Sequence, residues 1–167
     1  MKHISHFILV VTALFMVSCE GEPGPPGPAG PPGGLLVSSA FEIEIDFNAQ
    51  NNYSFIESYG FTVFPSDVTL VYILWDTLDG QDIWRLLPQS VEFDDGTLIY
   101  NYDFTQIDVS FFLDGTTNFD ALGPEWTQNQ VFRVVVIPAD NVDSIDVSNL
   151  NIVMQSNGIE NFNVRSN

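Results

Sequence analysis

Beyond residue 34 the chain predicts an all-β fold, an antiparallel β-sandwich or jelly roll of about 7–9 strands, on three observations. Apolar and polar residues alternate with period two in short runs. Turn-forming clusters separate those runs. No window of eleven or more residues has the spacing of an amphipathic helix.

The strands follow in chain order. Phe41, Ile43, Ile45 and Phe47 share one face, with Glu42, Glu44 and Asp46 opposite. Residues 68–75 are apolar on both faces apart from Thr69, and are rich in β-branched and aromatic side chains, as a central strand would be. Leu98, Tyr100, Tyr102 and Phe104 oppose Asn101 and Asp103, and Ile107, Val109, Phe111 and Leu113 oppose Asp108 and Ser110. Residues 131–137 form a second run that is apolar on both faces, interrupted only by Arg133. Asn51-Asn52, Pro65-Ser66-Asp67, Asp79-Gly80, Asp94-Asp95-Gly96, Asp114-Gly115, Gly123-Pro124, residues 138–141 and Asn157-Gly158 are the turn signals between and after these runs. Residues 119–126 show no alternation and predict a loop whose Trp126 plugs an end of the core. Two strands apolar on both faces need a second cover. The expected cover is the loop over residues 119–130, with a second copy of the domain as the alternative.

Three segments are expected ahead of and including this domain: a signal peptide at 1–18, an anchored linker at 19–34 and the acidic β domain at 35–167. Lys2, His3 and His6 precede an apolar run over residues 7–17, and small Ser18 precedes Cys19, the single cysteine of the chain. The run is too short to cross a bilayer, which takes about 20 apolar residues. Met16-Val17-Ser18-Cys19 resembles a bacterial lipobox, in which the cysteine is acylated and the chain is cut before it. The partner implied at Cys19 is therefore a membrane, held through lipid. Two or more acyl chains anchor stably, at about 0.8 kcal/mol per buried CH₂. Glu20 stands where inner-membrane lipoproteins typically carry Asp, which points to the outer membrane or cell surface of a Gram-negative bacterium.

From Gly21 the chain reads Gly-Glu-Pro, Gly-Pro-Pro, Gly-Pro-Ala, Gly-Pro-Pro and then Gly33-Gly34. This is a collagen-like Gly-X-Y pattern. As a monomer the segment is a stiff polyproline spacer, and at about 3.1 Å per residue its four triplets reach roughly 37 Å. A homotrimer is the other option, and it requires the domain itself to bring three stalks together.

Charge and residue types narrow the function. After Cys19 the basic residues are Arg85, Arg133 and Arg165, against 22 carboxylates. Three arginines cannot make the basic stripe that nucleic acid needs, so nucleic acid is excluded as a partner. The mature chain has neither His nor Lys and its thiol is the lipid attachment point, which removes His-dependent triads, Schiff-base lysines and the common zinc sites. No dinucleotide loop or redox dithiol is present, so no cofactor is expected and the domain reads as non-catalytic.

Two Asp-rich runs are weak calcium candidates: Asp76, Asp79 and Asp82, then Asp140, Asp143 and Asp146, at the same spacing. The competing reading has these side chains capping the amides of their own turns. Trp75, Trp84 and Trp126 are weak candidates for stacking on a ligand, against a role in the core. Arg85 is expected to balance carboxylates, with stacking on Trp84 as the alternative, and Arg133 likewise to pair with carboxylates.

The lipobox, the Gly-Glu-Pro-Gly-Pro-Pro start, Asp82-Ile83-Trp84-Arg85-Leu86-Leu87-Pro88-Gln89 and Val131-Phe132-Arg133-Val134-Val135-Val136-Ile137-Pro138-Ala139 together resemble a group of small collagen-like lipoproteins of Bacteroidota. The resemblance implies architecture and location and carries over no site. Some members have been called dihydrolipoamide dehydrogenases, which this sequence contradicts in its lack of dithiol, dinucleotide loop and length. Two functions follow as expectations: a surface interaction or structural module on a short stalk, monomeric before trimeric, or a carbohydrate-binding accessory protein of a glycan-uptake system.

Overall fold

Alternation at Phe41, Ile43 and Ile45 becomes strand β1 (Ser39–Ile45), whose odd-numbered side chains from Phe41 onward are buried. The computed structural model describes residues 39–166. The expected signal peptide at 1–18, Cys19, the expected linker at 19–34 and the first residues of the expected domain lie outside these. Eight further strands follow: β2 (Ser54–Ser58), β3 (Asp67–Leu78), β4 (Gln81–Leu86), β5 (Gln89–Phe93), β6 (Gly96–Phe104), β7 (Asp108–Gly115), β8 (Gln130–Pro138) and β9 (Asn163–Arg165). Two short helices, α1 (Pro124–Thr127) and α2 (Leu150–Ser156), interrupt the pattern.

The strands form two sheets, ordered β4-β3-β8-β1-β9 and β2-β7-β6-β5. Neighbours are antiparallel except β1 and β9, which run parallel. The two runs apolar on both faces become β3 and β8, adjacent and interior, in a register that pairs Val71 with Val134 and Ile73 with Phe132. Their inward side chains meet Leu98, Tyr100, Val109, Phe111 and Leu113 of the other sheet in one core, the arrangement of a β-sandwich. The Phe111 and Phe132 rings, 5.0 Å apart, join the sheets at its middle.

The outer face of β3 and β8 has its own cover, and it is not the expected one. Leu70, Tyr72, Val135 and Ile137 pack against Leu150 and Val153 of α2 and against Ile159, flanked by Val142, Ile145, Val147 and Phe162. Residues 139–162 of the same chain therefore close that face. The segment over 119–130 closes an end of the inter-sheet core instead, through Phe119, Leu122 and Trp126. Helix α2 has seven residues, fewer than a helical-periodicity window, but Leu150, Val153 and Met154 have i, i+3, i+4 spacing. Asn149 starts it, its side chain accepting from Asn151 N at 3.1 Å and Ile152 N at 3.3 Å. Tyr72 crosses the interface and donates its hydroxyl to Val147 O at 2.6 Å.

Turn signals fall largely where expected. Asp79 and Gly80, with φ of 52° and 78°, make the two-residue β3-β4 hairpin, the left-handed pair of a type I′ turn. Asp114-Gly115 departs from expectation: Gly115 is the last residue of β7, paired with Leu98, and a Cβ there would lie 2.0 Å from Thr97 O. Glycine marks a close backbone approach at this point rather than a turn. Alternation also overreaches at the β6-β7 connection, where Phe104 and Ile107 are 46% and 72% exposed beyond the last core row.

Replacing Leu150 by Ala is expected to lower unfolding free energy by roughly 2–4 kcal/mol, because it empties the centre of the outer-face cluster. The half-exposed neighbour substitution Ile152→Ala should change it by less than about 1 kcal/mol. Urea titration of both variants checks this, and equal effects would contradict the burial assigned to α2.

Candidate functional site

The far end of β3 is where regular pairing breaks. Leu74 pairs with Trp84 and Asp76 with Ile83, so Trp75 is an extra residue in a bulge. Bulges re-aim a side chain and increase local twist. Trp75 is half-buried at the margin of the inter-sheet core, and the Arg85 guanidinium lies over its ring at 4.1 Å. Arg85 thus stacks on Trp75, not Trp84, and makes no ion pair among the described residues.

Trp126 reaches the same place from α1. Pro124 opens that single turn after Gly123. The turn is fastened to the segment after β1 and to β6, since Phe47 N donates to Thr127 O at 2.7 Å and Tyr100 Oη donates to Trp126 O at 2.7 Å. The Trp126 ring meets Phe93 edge-on at 5.3 Å. After the turn, Asn129 adopts a left-handed φ of 53° and its N–H donates to Asp46 Oδ1 at 2.7 Å. Gln130 Nε2 donates to Gln128 O at 2.7 Å and Glu125 O at 3.1 Å.

These residues enclose an open cleft of about 210 Å³ lined by Trp75, Tyr100, Glu125, Trp126, Asn129 and Gln130, among others. Two of the three candidate tryptophans thus share one site. The Glu125 and Asn129 side chains are exposed and make no hydrogen bond among the described residues, and the Glu125 carboxylate lies back against Gly123. Tyr100 is not available as an acid: burial pushes its hydroxyl well above the ordinary 10.0, and it is committed to Trp126 O.

Trp84 has a different place. The Arg133 guanidinium lies 4.0 Å from its ring centroid and 4.5 Å from that of Phe162, while Arg133 Nε donates to Glu42 Oε2 at 2.9 Å. Arg133 therefore pairs with a carboxylate as expected and carries its charge between two aromatic rings. A second cleft, of about 290 Å³, is lined by Asp82, Trp84, Asp146, Ser148, Asn149 and Asn151 among others. One member of each Asp-rich run reaches it, but no three carboxylates converge on a metal position among the described residues. Several of those aspartates are engaged locally. Asp76 Oδ1 accepts from Thr77 N, Asp82 Oδ1 from Thr77 Oγ1, and Asp146 Oδ1 from Ser148 N and Oγ. Asp79 sits in the hairpin turn, Asp140 lies in the 3-10 turn Ala139–Asn141, and Asp143 follows it.

Arg165 is a structural residue that sequence reasoning did not single out. Its guanidinium lies 3.7 Å over Phe41 and donates to Glu57 Oε1 and Ser58 O, both at 2.7 Å, and to Tyr59 O at 2.5 Å. It thereby ties β9 to the end of β2 in the opposite sheet. The available signal was scarcity: with three arginines after Cys19, each was worth asking what it holds.

Burial also raises Tyr59, Tyr72 and Tyr102 above the usual 10.0. A hydroxyl that keeps its proton longer in the folded chain stabilises fully below the unfolded value of about 10, and loses that contribution as pH climbs past it. In an alkaline titration, tyrosinate absorbance from these four residues is expected to rise together with loss of the β circular-dichroism signal. Full ionisation near pH 10 with the fold intact would contradict their burial.

Comparison with protein-family models, curated proteins and solved structures finds no match, so a functional reading rests on the residues and geometry of the chain itself.

Proposed function

We propose that the chain is an exported lipoprotein, acylated at Cys19 and held at the outer membrane or cell surface, whose linker at 19–34 presents a non-catalytic β-sandwich module. The residue pattern ahead of the domain carries this reading: an apolar run over residues 7–17, then Ser18-Cys19 and the Gly-X-Y triplets. Ser39, Val136 and Thr69 are in register at one end, so the chain enters there. Ile45 pairs with Gln130 toward the other end, where β3 runs on into the bulge and the Trp75-Trp126 cleft opens.

The acidic surface suits this role, since it keeps the module soluble and apart from anionic headgroups. A spacer linker is favoured over a triple helix because residues 139–162 already cover the outer face of β3 and β8, leaving no need for a second copy there. A second reading, a carbohydrate-binding accessory role in glycan uptake, is favoured by the two tryptophans that share one cleft.

Mass spectrometry of membrane-extracted protein is expected to find diacyl or triacyl Cys19 at the mature N-terminus, with Cys19→Ala released or left uncleaved. A soluble product that starts elsewhere overturns the anchor. In analytical ultracentrifugation, fragments 20–167 and 35–167 should both sediment as monomers at roughly tens of micromolar. A trimer in both would overturn the spacer and make the Gly-X-Y segment an assembly element.

A further inference from the structure

We infer that the Trp75-Trp126 cleft is a binding site for one ring of a neutral glycan. The assignment rests on the carbohydrate-binding reading and specifies its site and the charge of its ligand. At about 210 Å³ the cleft is smaller than the roughly 300–1,000 Å³ of pockets for drug-sized ligands, which suits a single ring or the end of a chain. Two indole rings reach its wall, and Trp126, which carries no guanidinium among the described residues, supplies apolar surface for the C–H face of a sugar. The other half of sugar recognition comes from Asn129, which can donate to and accept from ring hydroxyls, and from the Glu125 carboxylate and the Gln130 side-chain carbonyl, which accept. The backbone is fixed at Asn129 and Glu125, and the side chain at Gln130. Asn129 is held by its left-handed φ and its bond to Asp46, Gln130 by two carbonyls, and Glu125 by a helical turn tied to the segment after β1 and to β6.

Charge selects among ligands. Glu125 in the wall and the surplus of carboxylates over the domain disfavour uronic or sulfated sugars. The aromatic walls would suit a cation, but Arg85 already lies over Trp75, and its charge opposes a second cation on that ring. A neutral hydroxylated ring meets neither penalty. The second cleft lacks this arrangement: it has one tryptophan, Trp84, which carries Arg133, whereas Trp126 of the first cleft carries no arginine.

The test is an array of neutral, acidic and amino glycans probed with the detergent-solubilised full chain, followed by titration of the best-retained neutral glycan monitored by tryptophan fluorescence. Retention of neutral glycans is expected, with affinity lowered about tenfold or more by Trp126→Ala, Asn129→Gly and Glu125→Ala, and unchanged by Asn151→Ala in the other cleft. Asn129→Gly keeps the left-handed backbone that the turn requires, so it removes the carboxamide without unfolding the site. It decides the matter if Trp126→Ala fails to fold. Neutral-glycan binding that none of the cleft variants weakens overturns this site while leaving the carbohydrate-binding reading in place. Retention of acidic or amino glycans alone overturns the charge assignment. No retained glycan overturns both the site and that reading, and the lipid on Cys19 is decided separately by mass spectrometry.

Discussion

The pairing of β3 with β8 is the constraint on which the remaining structure depends. Seven residue pairs, from Asp67-Pro138 to Ile73-Phe132, set two strands side by side whose side chains are apolar above and below the sheet. Each fully buried aliphatic or aromatic side chain contributes about 1.5–3 kcal/mol, so neither face can be left to water. The other sheet covers one face. The other face recruits a chain segment with little regular structure of its own, a seven-residue helix and the loops on either side of it. Alone, such a helix would not form, because nucleation is unfavourable and the segment is too short to recover the cost by propagation. Its stability is that of the sheet it covers, and Tyr72 makes the dependence explicit by reaching from β3 to the backbone of Val147.

The three arginines show how an acidic domain uses its few cations. Arg85 lies on Trp75, Arg133 between Trp84 and Phe162, and Arg165 on Phe41. Two of them also hold a carboxylate, Glu42 and Glu57, at partners roughly a quarter exposed. An exposed ion pair is worth little, but the guanidinium does more than pair. Its planar face stacks while its edge donates, which an ammonium cannot do. Arg133 brings a charge into the covered outer face of β8 without leaving it bare, and Arg165 closes the edge where β9 and β2 would otherwise separate.

The legible part of the sequence was the part governed by local periodicity. Phe41, Ile43 and Ile45 alternate because one side of β1 is buried, and the runs at 68–75 and 131–137 lack alternation because both sides of β3 and β8 are. Trp126 at an end of the core was legible from the absence of pattern around it. Less legible was anything set by contacts distant in sequence. Leu150 and Val153 give too short a helical signal to distinguish from a loop, and nothing in them names Leu70 or Ile137 as partners. Gly115 looked like a turn because glycine and aspartate favour turns, while its actual reason is the Thr97 carbonyl of the neighbouring strand. Arg85 was expected to balance carboxylates, with stacking on the adjacent Trp84 as the alternative; it does neither, and successive strand residues point to opposite faces. It therefore had to find its aromatic partner across the β3-β4 pair.

The same reasoning explains why the cleft lies where it does. A strand buried on both faces must eventually leave the core, and β3 leaves it at the Trp75 bulge, where the ladder to β4 slips by one residue. Trp75 still packs against core residues there, yet it also lines open space. On the other strand, β8 begins at Gln130, just after the turn that carries Trp126 and Asn129. Both central strands thus meet solvent at one end, and each brings a tryptophan to the boundary together with unpaired polar groups. The opposite end of these strands is where the chain enters at Ser39. The antiparallel register alone sets that polarity, because the register that fills the core also fixes which residues reach each rim.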